Sequence, residues 1–91
     1  MATVHLEVAG KVQGVGFRWF IREVAQRAGV AGWVRNRADG RVEIAASGSD
    51  HAIAEFVEAA RRGPPGARID HVAELPVADM DDLPRPFTVM R

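Results

Sequence analysis

The stretch Thr3 to Gly29, "TVHLEVAGKVQGVGFRWFIREVAQRAG", changes its hydrophobic period partway along. Val4, Leu6 and Val8 alternate with His5 and Glu7, the period-two pattern of a strand buried on one face. From Phe17 onward the period is helical: Phe17, Phe20, Ile21, Val24, Ala25 and Ala28 share a stripe, and Gly29 is a natural stop. Between the two patterns stand Gly10, Gly14 and Gly16, and Arg18 follows directly. A strand, a loop with unusual backbone freedom and a helix carrying a cation in its first turn are therefore predicted in that order.

The rest of the chain completes the pattern. "AGWVRNR" (31–37) reads as a second strand and "ADG" (38–40) as a hairpin turn with Asp39-Gly40 at its tip. "RVEIAAS" (41–47) alternates through Val42, Ile44 and Ala46. Ser49 or Asp50 can cap a second helix whose inner face is Ile53, Phe56, Val57 and Ala60, with Glu58 and Arg62 paired outside. "GPPG" (63–66) ends it, "ARIDHVAEL" (67–75) is a fourth strand, "PVADMDDLPRP" (76–86) an acidic loop and "FTVM" (87–90) a short last strand. The order predicts an α+β fold, the ferredoxin-like βαββαβ sandwich, with a mostly antiparallel sheet and both helices on one face. Residues 1–91 are expected to form a single domain. Many functions use this fold, so it decides none of them.

Composition narrows the choice. The formal net charge is zero, which argues against a dedicated nucleic-acid or anionic-membrane binder. The charges are unevenly spread: residues 1–45 hold seven Lys/Arg against four Asp/Glu, and residues 46–91 hold five against eight. The glycine loop lies in the basic half, where a small anion is a natural ligand. There is no cysteine, which removes disulfides and thiol chemistry and is compatible with a reducing cytoplasm, the expected compartment. No apolar run reaches the ~20 residues of a membrane span, and the N-terminus lacks the pattern of a signal peptide. Small size and a closed sheet–helix core predict a monomer.

Glycines between a strand and a helix let successive backbone N–H groups converge on an anion, and the helix start adds partial positive charge. Arg18 in the first turn is unfavourable for the helix dipole by itself, and a bound phosphate would reverse that cost. Its planar fork suits two phosphate oxygens. The structural alternative is a tight turn beside a solvated arginine. The loop is neither a Walker motif, since Lys11 follows the first glycine, nor a dinucleotide fingerprint, since the third glycine is missing. Asn36, just before the hairpin turn, can accept a hydrogen bond from water and donate one to a substrate oxygen. Taken alone it reads equally as a turn-favouring residue.

With both stretches in hand, the chain resembles the acylphosphatase family. "GKVQGVGFR" (Gly10–Arg18) matches that family's first signature, G-x-V-Q-G-V-x-[FY]-R. "GWVRNRADGRVEIAASG" (Gly32–Gly48) matches the second, with Asn36, Gly40, Val42 and Gly48 in place. "GPPGARIDHV" is similar to the family's passage from helix to strand, so the resemblance covers essentially the whole chain. It implies hydrolysis of small acyl phosphates to a carboxylate and inorganic phosphate, with no cofactor and no metal. It further implies that Gly10, Lys11, Val12, Gln13, Gly14, Val15 and Gly16 form the phosphate-cradling loop, that Arg18 binds phosphoryl oxygens and that Asn36 positions the attacking water.

The remaining chemistry-bearing residues get plainer readings. His5, His51 and His71 have no metal-ligand spacing and read as surface or edge residues. Trp19 and Trp33 read as packing residues, with a substrate platform as the alternative. Arg22 reads as solvated, and Arg35, Arg37 and Arg41 as a weak steering field. Asp79, Asp81 and Asp82 lack calcium-loop spacing. Two other functions compete: an RNA-recognition module, disfavoured because the aromatics fall at helical spacing and two of the strands carry none, and a phosphate-binding module without turnover.

Overall fold

In the computed structural model, which describes residues 1–77 and 82–90, the chain runs β1 (Ala2–Lys11), α1 (Phe17–Ala28), β2 (Ala31–Asn36), β3 (Val42–Gly48), α2 (Asp50–Arg62), β4 (Arg68–Glu74) and β5 (Thr88–Val89). The predicted order is the observed one. Asp79 and Asp81, from the expected acidic loop, lie outside the described residues.

The five strands form one sheet in the order β4-β1-β3-β2-β5. β3 pairs antiparallel with both β1 and β2, so β1 and β2 point the same way with β3 between them. β4 is antiparallel to β1, and β5 pairs parallel with β2. Leu6 and Val34 both face Ile44 across the ladders, and Val8 and Asn36 both face Val42. Cross-strand partners share a face, so the apolar row Leu6, Ile44, Val34 lies on one side of the sheet. All three are fully buried.

Both helices cover that side. α1 buries Phe17, Ile21 and Ala25, and α2 buries Ile53, Phe56 and Ala60 among others. Each large aliphatic or aromatic side chain removed from water contributes about 1.5–3 kcal/mol. Gly29 ends α1 in the left-handed conformation, its N–H reaching back to the Ala25 and Gln26 carbonyls. Ser49 caps α2, its hydroxyl accepting from the Ala52 N–H at 3.1 Å. Phe87, leading into β5, packs against Phe56 with ring centroids 5.8 Å apart.

Among the described residues no helix covers the opposite side of the sheet, and side chains roof it instead. Glu43 on β3 is only 5% exposed. His5 Nε2 donates to its Oε2, and Arg35 Nε donates to its Oε1 at 2.8 Å. Arg37 reaches Glu7 at 2.9 Å, and Arg41 lies 3.3 Å from Asp39. The Trp33 ring meets His5 edge-on and lies under the Arg35 guanidinium, whose carbon is 5.1 Å from the ring centroid.

Three sequence readings change here. His5 is not a surface residue, because the central position of β1 puts it beside a buried carboxylate. Arg35, Arg37 and Arg41 are neutralised in ion pairs rather than projecting a field. The two tryptophans part company: Trp33 packs as expected, while Trp19 is 63% exposed. His51 and His71 are exposed as expected.

Burial by itself would raise the Glu43 carboxyl. The hydrogen bonds from His5 and Arg35 and their charges outweigh it, so its pKa lies below the ordinary 4.5. A carboxyl whose folded pKa is depressed contributes stability above its unfolded value and loses it as pH falls through the folded one. Glu43→Gln is therefore expected to destabilise the protein by about 1–3 kcal/mol at neutral pH. The gap to wild type should close as pH drops below 4.5. Thermal unfolding of both proteins across pH 3–7 checks this, and a pH-independent gap would contradict it.

Candidate active site

β1 and β2 run toward the same end of the sheet, where Val8 is level with Asn36 at two strand spacings, about 10 Å. β1 runs on into the loop Val12–Gly16 and the first turn of α1, and β2 ends at Asn36. Because side chains alternate along a strand, Asn36 falls on the same face as buried Val34, toward the helices. A cleft of about 160 Å³ opens between these segments, lined by Val12, Gly14, Gly16, Arg18, Trp19 and Asn36, with Phe17 behind. That is smaller than the ~300–1,000 Å³ of pockets that engulf a drug-sized ligand. A larger groove of about 340 Å³ between the helices is walled by Arg27, Glu55, Glu58 and Arg62. It is more open and gathers charges of both signs, Arg62 and Glu58 pairing at 3.3 Å, so size does not locate the chemistry.

The start of α1 is built unlike the start of α2. α2 has a side-chain cap and Asp50 in its first turn. α1 begins at Gly16 with no side-chain cap and no acid in its first turn. Its first helical hydrogen bond is from the Phe20 N–H to the Gly16 carbonyl at 3.0 Å, which leaves the N–H groups before it without an intrahelical acceptor. Gly16 adopts φ 78°, a left-handed turn that costs a side-chain-bearing residue about 1–2 kcal/mol. The result is a set of backbone donors and partial positive charge at the cleft, where an anion would complete the helix end.

Arg18 is half-buried beside these donors. Its Nη1 donates to the Met90 carbonyl at 2.9 Å. Met90 is held in turn, its N–H donating to the Val34 carbonyl at 2.8 Å at the end of β5. No carboxylate among the described residues lies within ion-pair distance of Arg18. Among the described residues the other four guanidinium N–H groups have no protein acceptor. Across the cleft, the Asn36 Oδ1 is buried and has no hydrogen-bond partner among the described residues. A buried acceptor left unpaired costs about 1–3 kcal/mol, so a donor such as water is well matched to it.

The seven residues of the expected cradle do not all reach this cleft. Val12, Gly14 and Gly16 line it. Gly10 and Lys11 belong to β1. Gly10 sits where the β1–β4 register shifts, and an added Cβ would lie 2.0 Å from the Arg68 carbonyl oxygen, so close strand approach demands glycine there. Lys11 is exposed, and Val15 packs against the core from the loop. The Gln13 side chain turns the other way and donates to the Arg37 and Arg41 carbonyls at 2.8 and 2.9 Å. It ties the loop to the hairpin that follows Asn36. Sequence reasoning missed this brace, for which a polar residue between glycines was the available signal. It also missed the Met90 carbonyl, a backbone group that nothing in its residue type announces.

A family model for acylphosphatase matches residues 4–89. An acylphosphatase of Rhizobium etli is 48% identical over 86 residues, covering 94% of this chain and 90% of that one. The crystal structure of an acylphosphatase from Bacillus subtilis superposes with a TM-score of 0.91 at 38% identity, over 100% of both chains. One from Coxiella burnetii does so with a TM-score of 0.79 at 38% identity, over 97% of this chain and 90% of its own.

Gln13→Ala is expected to cost about 1–2 kcal/mol from its two hydrogen bonds. Gly10→Ala should cost more than about 2 kcal/mol, because a backbone carbonyl must move. Urea unfolding of both variants checks the ranking. A Gly10→Ala protein as stable as wild type would mean the strands can part at the bulge without loss.

Proposed function

This chain belongs to the acylphosphatase family, hydrolases that act on acid anhydrides and take small acyl phosphates as substrates, and we propose that its cleft performs that reaction with Arg18 and Asn36. The observation that carries the reading is the unpaired, buried Oδ1 of Asn36 in the same cleft as Arg18 and the uncapped start of α1. One side is suited to a dianionic phosphoryl group and the other to a water molecule.

The backbone donors of the loop and first helical turn hold the phosphoryl oxygens, and the Arg18 guanidinium neutralises the charge on them. Met90 keeps that guanidinium in place through one N–H. Asn36 Oδ1 accepts a hydrogen bond from water and aims its lone pair at phosphorus. The water oxygen bonds to phosphorus as the bond to the acyl oxygen breaks. The products are a carboxylate and dihydrogen phosphate. A carboxylate leaves readily, so no acid is needed to protonate it. The described residues lining the cleft include no carboxylate or imidazole to act as base, and the water's proton passes to an oxygen of the transferred phosphoryl group, directly or by way of solvent. Gly10, Lys11 and Gln13 act indirectly, by shaping the strand end and bracing the loop. We extend the proposal to a single-domain monomer at work in the cytoplasm, supported by one continuous core cluster and a chain without cysteine.

Release of inorganic phosphate from benzoyl phosphate in excess EDTA tests the assignment. Arg18→Ala is expected to lose at least about 100-fold in kcat/KM, with phosphate inhibition weakened in parallel. Asn36→Ala is expected to lower kcat by about 100-fold while moving KM little, since it contacts water rather than substrate. A change in KM alone would remove the water-positioning role. Tight phosphate binding by a wild-type protein that does not turn over would leave a binding module instead. A steep enzyme-derived limb in the pH–rate profile near neutrality would point to a base outside the cleft.

A further inference from the structure

The cleft accounts for the phosphoryl end of the substrate and leaves the acyl end unplaced. Its volume suits the phosphoryl group and a water, so the acyl group must emerge at the mouth. In-line attack also fixes the direction: with water held by Asn36, the leaving acyl oxygen lies on the far side of phosphorus, toward the loop and α1. Of the residues on that wall, Val12 and Phe17 are each only 1% exposed, and Gly14 and Gly16 have no side chain. Arg18 is engaged with the phosphoryl group. Trp19 alone remains.

Among the described residues Trp19 is also the one large aromatic side chain left largely exposed. It stands 63% exposed at the cleft. Its ring is nevertheless not loose, because the Arg22 guanidinium carbon sits 4.9 Å from the ring centroid. That cation–π contact, one helical turn along, restrains the indole before any ligand arrives. An exposed, preorganised indole beside an anion site fits a ligand with a phosphoryl head and a flat or apolar tail.

We propose that Trp19 is the platform for the acyl group and selects aromatic and extended apolar acyl phosphates over acetyl phosphate. The proposal rests on the acyl phosphate reading of the same cleft. The indole contacts the tail equally before and during phosphoryl transfer, so it acts on binding rather than on the chemical step.

The test titrates two hydrolysis-resistant probes, benzoylphosphonate and acetylphosphonate, into wild type, Trp19→Ala and Trp19→Phe, and follows benzoyl phosphate turnover alongside. Wild type is expected to bind benzoylphosphonate about three- to tenfold more tightly than acetylphosphonate, the range of one aromatic contact. Trp19→Ala should bring the two to near parity, chiefly by weakening benzoylphosphonate, and Trp19→Phe should keep most of the preference. Equal affinities in wild type, or a preference that survives in Trp19→Ala, would overturn the platform. So would an equal loss for both probes, which would mean that the residue shapes the phosphate cradle. A Trp19-dependent preference without benzoyl phosphate turnover would sink the hydrolase reading and leave the platform standing.

Discussion

The site depends on one strand, β3, pairing antiparallel with a neighbour on each side. That arrangement makes β1 and β2 parallel, and the parallel pairing of β5 with β2 adds a third strand in the same direction. Three chain segments therefore leave the sheet at the same end. β1 delivers the glycine loop and Arg18, β2 delivers Asn36, and β5 delivers the Met90 carbonyl. The buried row of Leu6, Ile44 and Val34 holds this register, since a slip of one residue would turn every apolar side chain outward. The same pleat puts Asn36 on the covered face, where its amide oxygen is shielded from bulk water.

The two helices divide the work. α2 is finished by its own residues, with a serine cap, an acid in the first turn and arginines in the last. α1 has the same kind of apolar stripe but begins without cap or acid and carries an arginine instead. Each of those choices costs the isolated helix a few tenths to about 1 kcal/mol. Burial of Phe17, Ile21 and Ala25 offsets that cost, so the fold can keep a helix end without a side-chain cap. The brace from Gln13 to the hairpin keeps the loop from relaxing into a self-satisfied turn.

Charge is distributed along the same lines. On the bare face of the sheet, Arg35, Arg37 and Arg41 meet Glu43, Glu7 and Asp39, and the cations cancel locally. Those arginines lie near Asn36 in sequence but serve the sheet. Arg18 is treated differently: a neutral carbonyl holds it, which orients the guanidinium without cancelling its charge. A protein with no net charge can in this way present a local positive site.

By itself the sequence determined the element order, the covered face and the glycine loop that leads into α1. These follow from periodicity and from glycine, serine and asparagine at positions where the backbone needs them, all local properties. The switch of period at Phe17 and the stop at Gly29 placed α1 within a residue, and the two quoted signatures brought Arg18 and Asn36 forward together. Only the tertiary structure decided what each neighbour does. Gly10 is a close-approach residue because β4 presses on it, and Gln13 is a brace because the hairpin carbonyls stand beside it. His5 is covered because β1 is an interior strand that sets it beside Glu43. Each of these depends on a partner far along the chain, and no local pattern encodes such a partner.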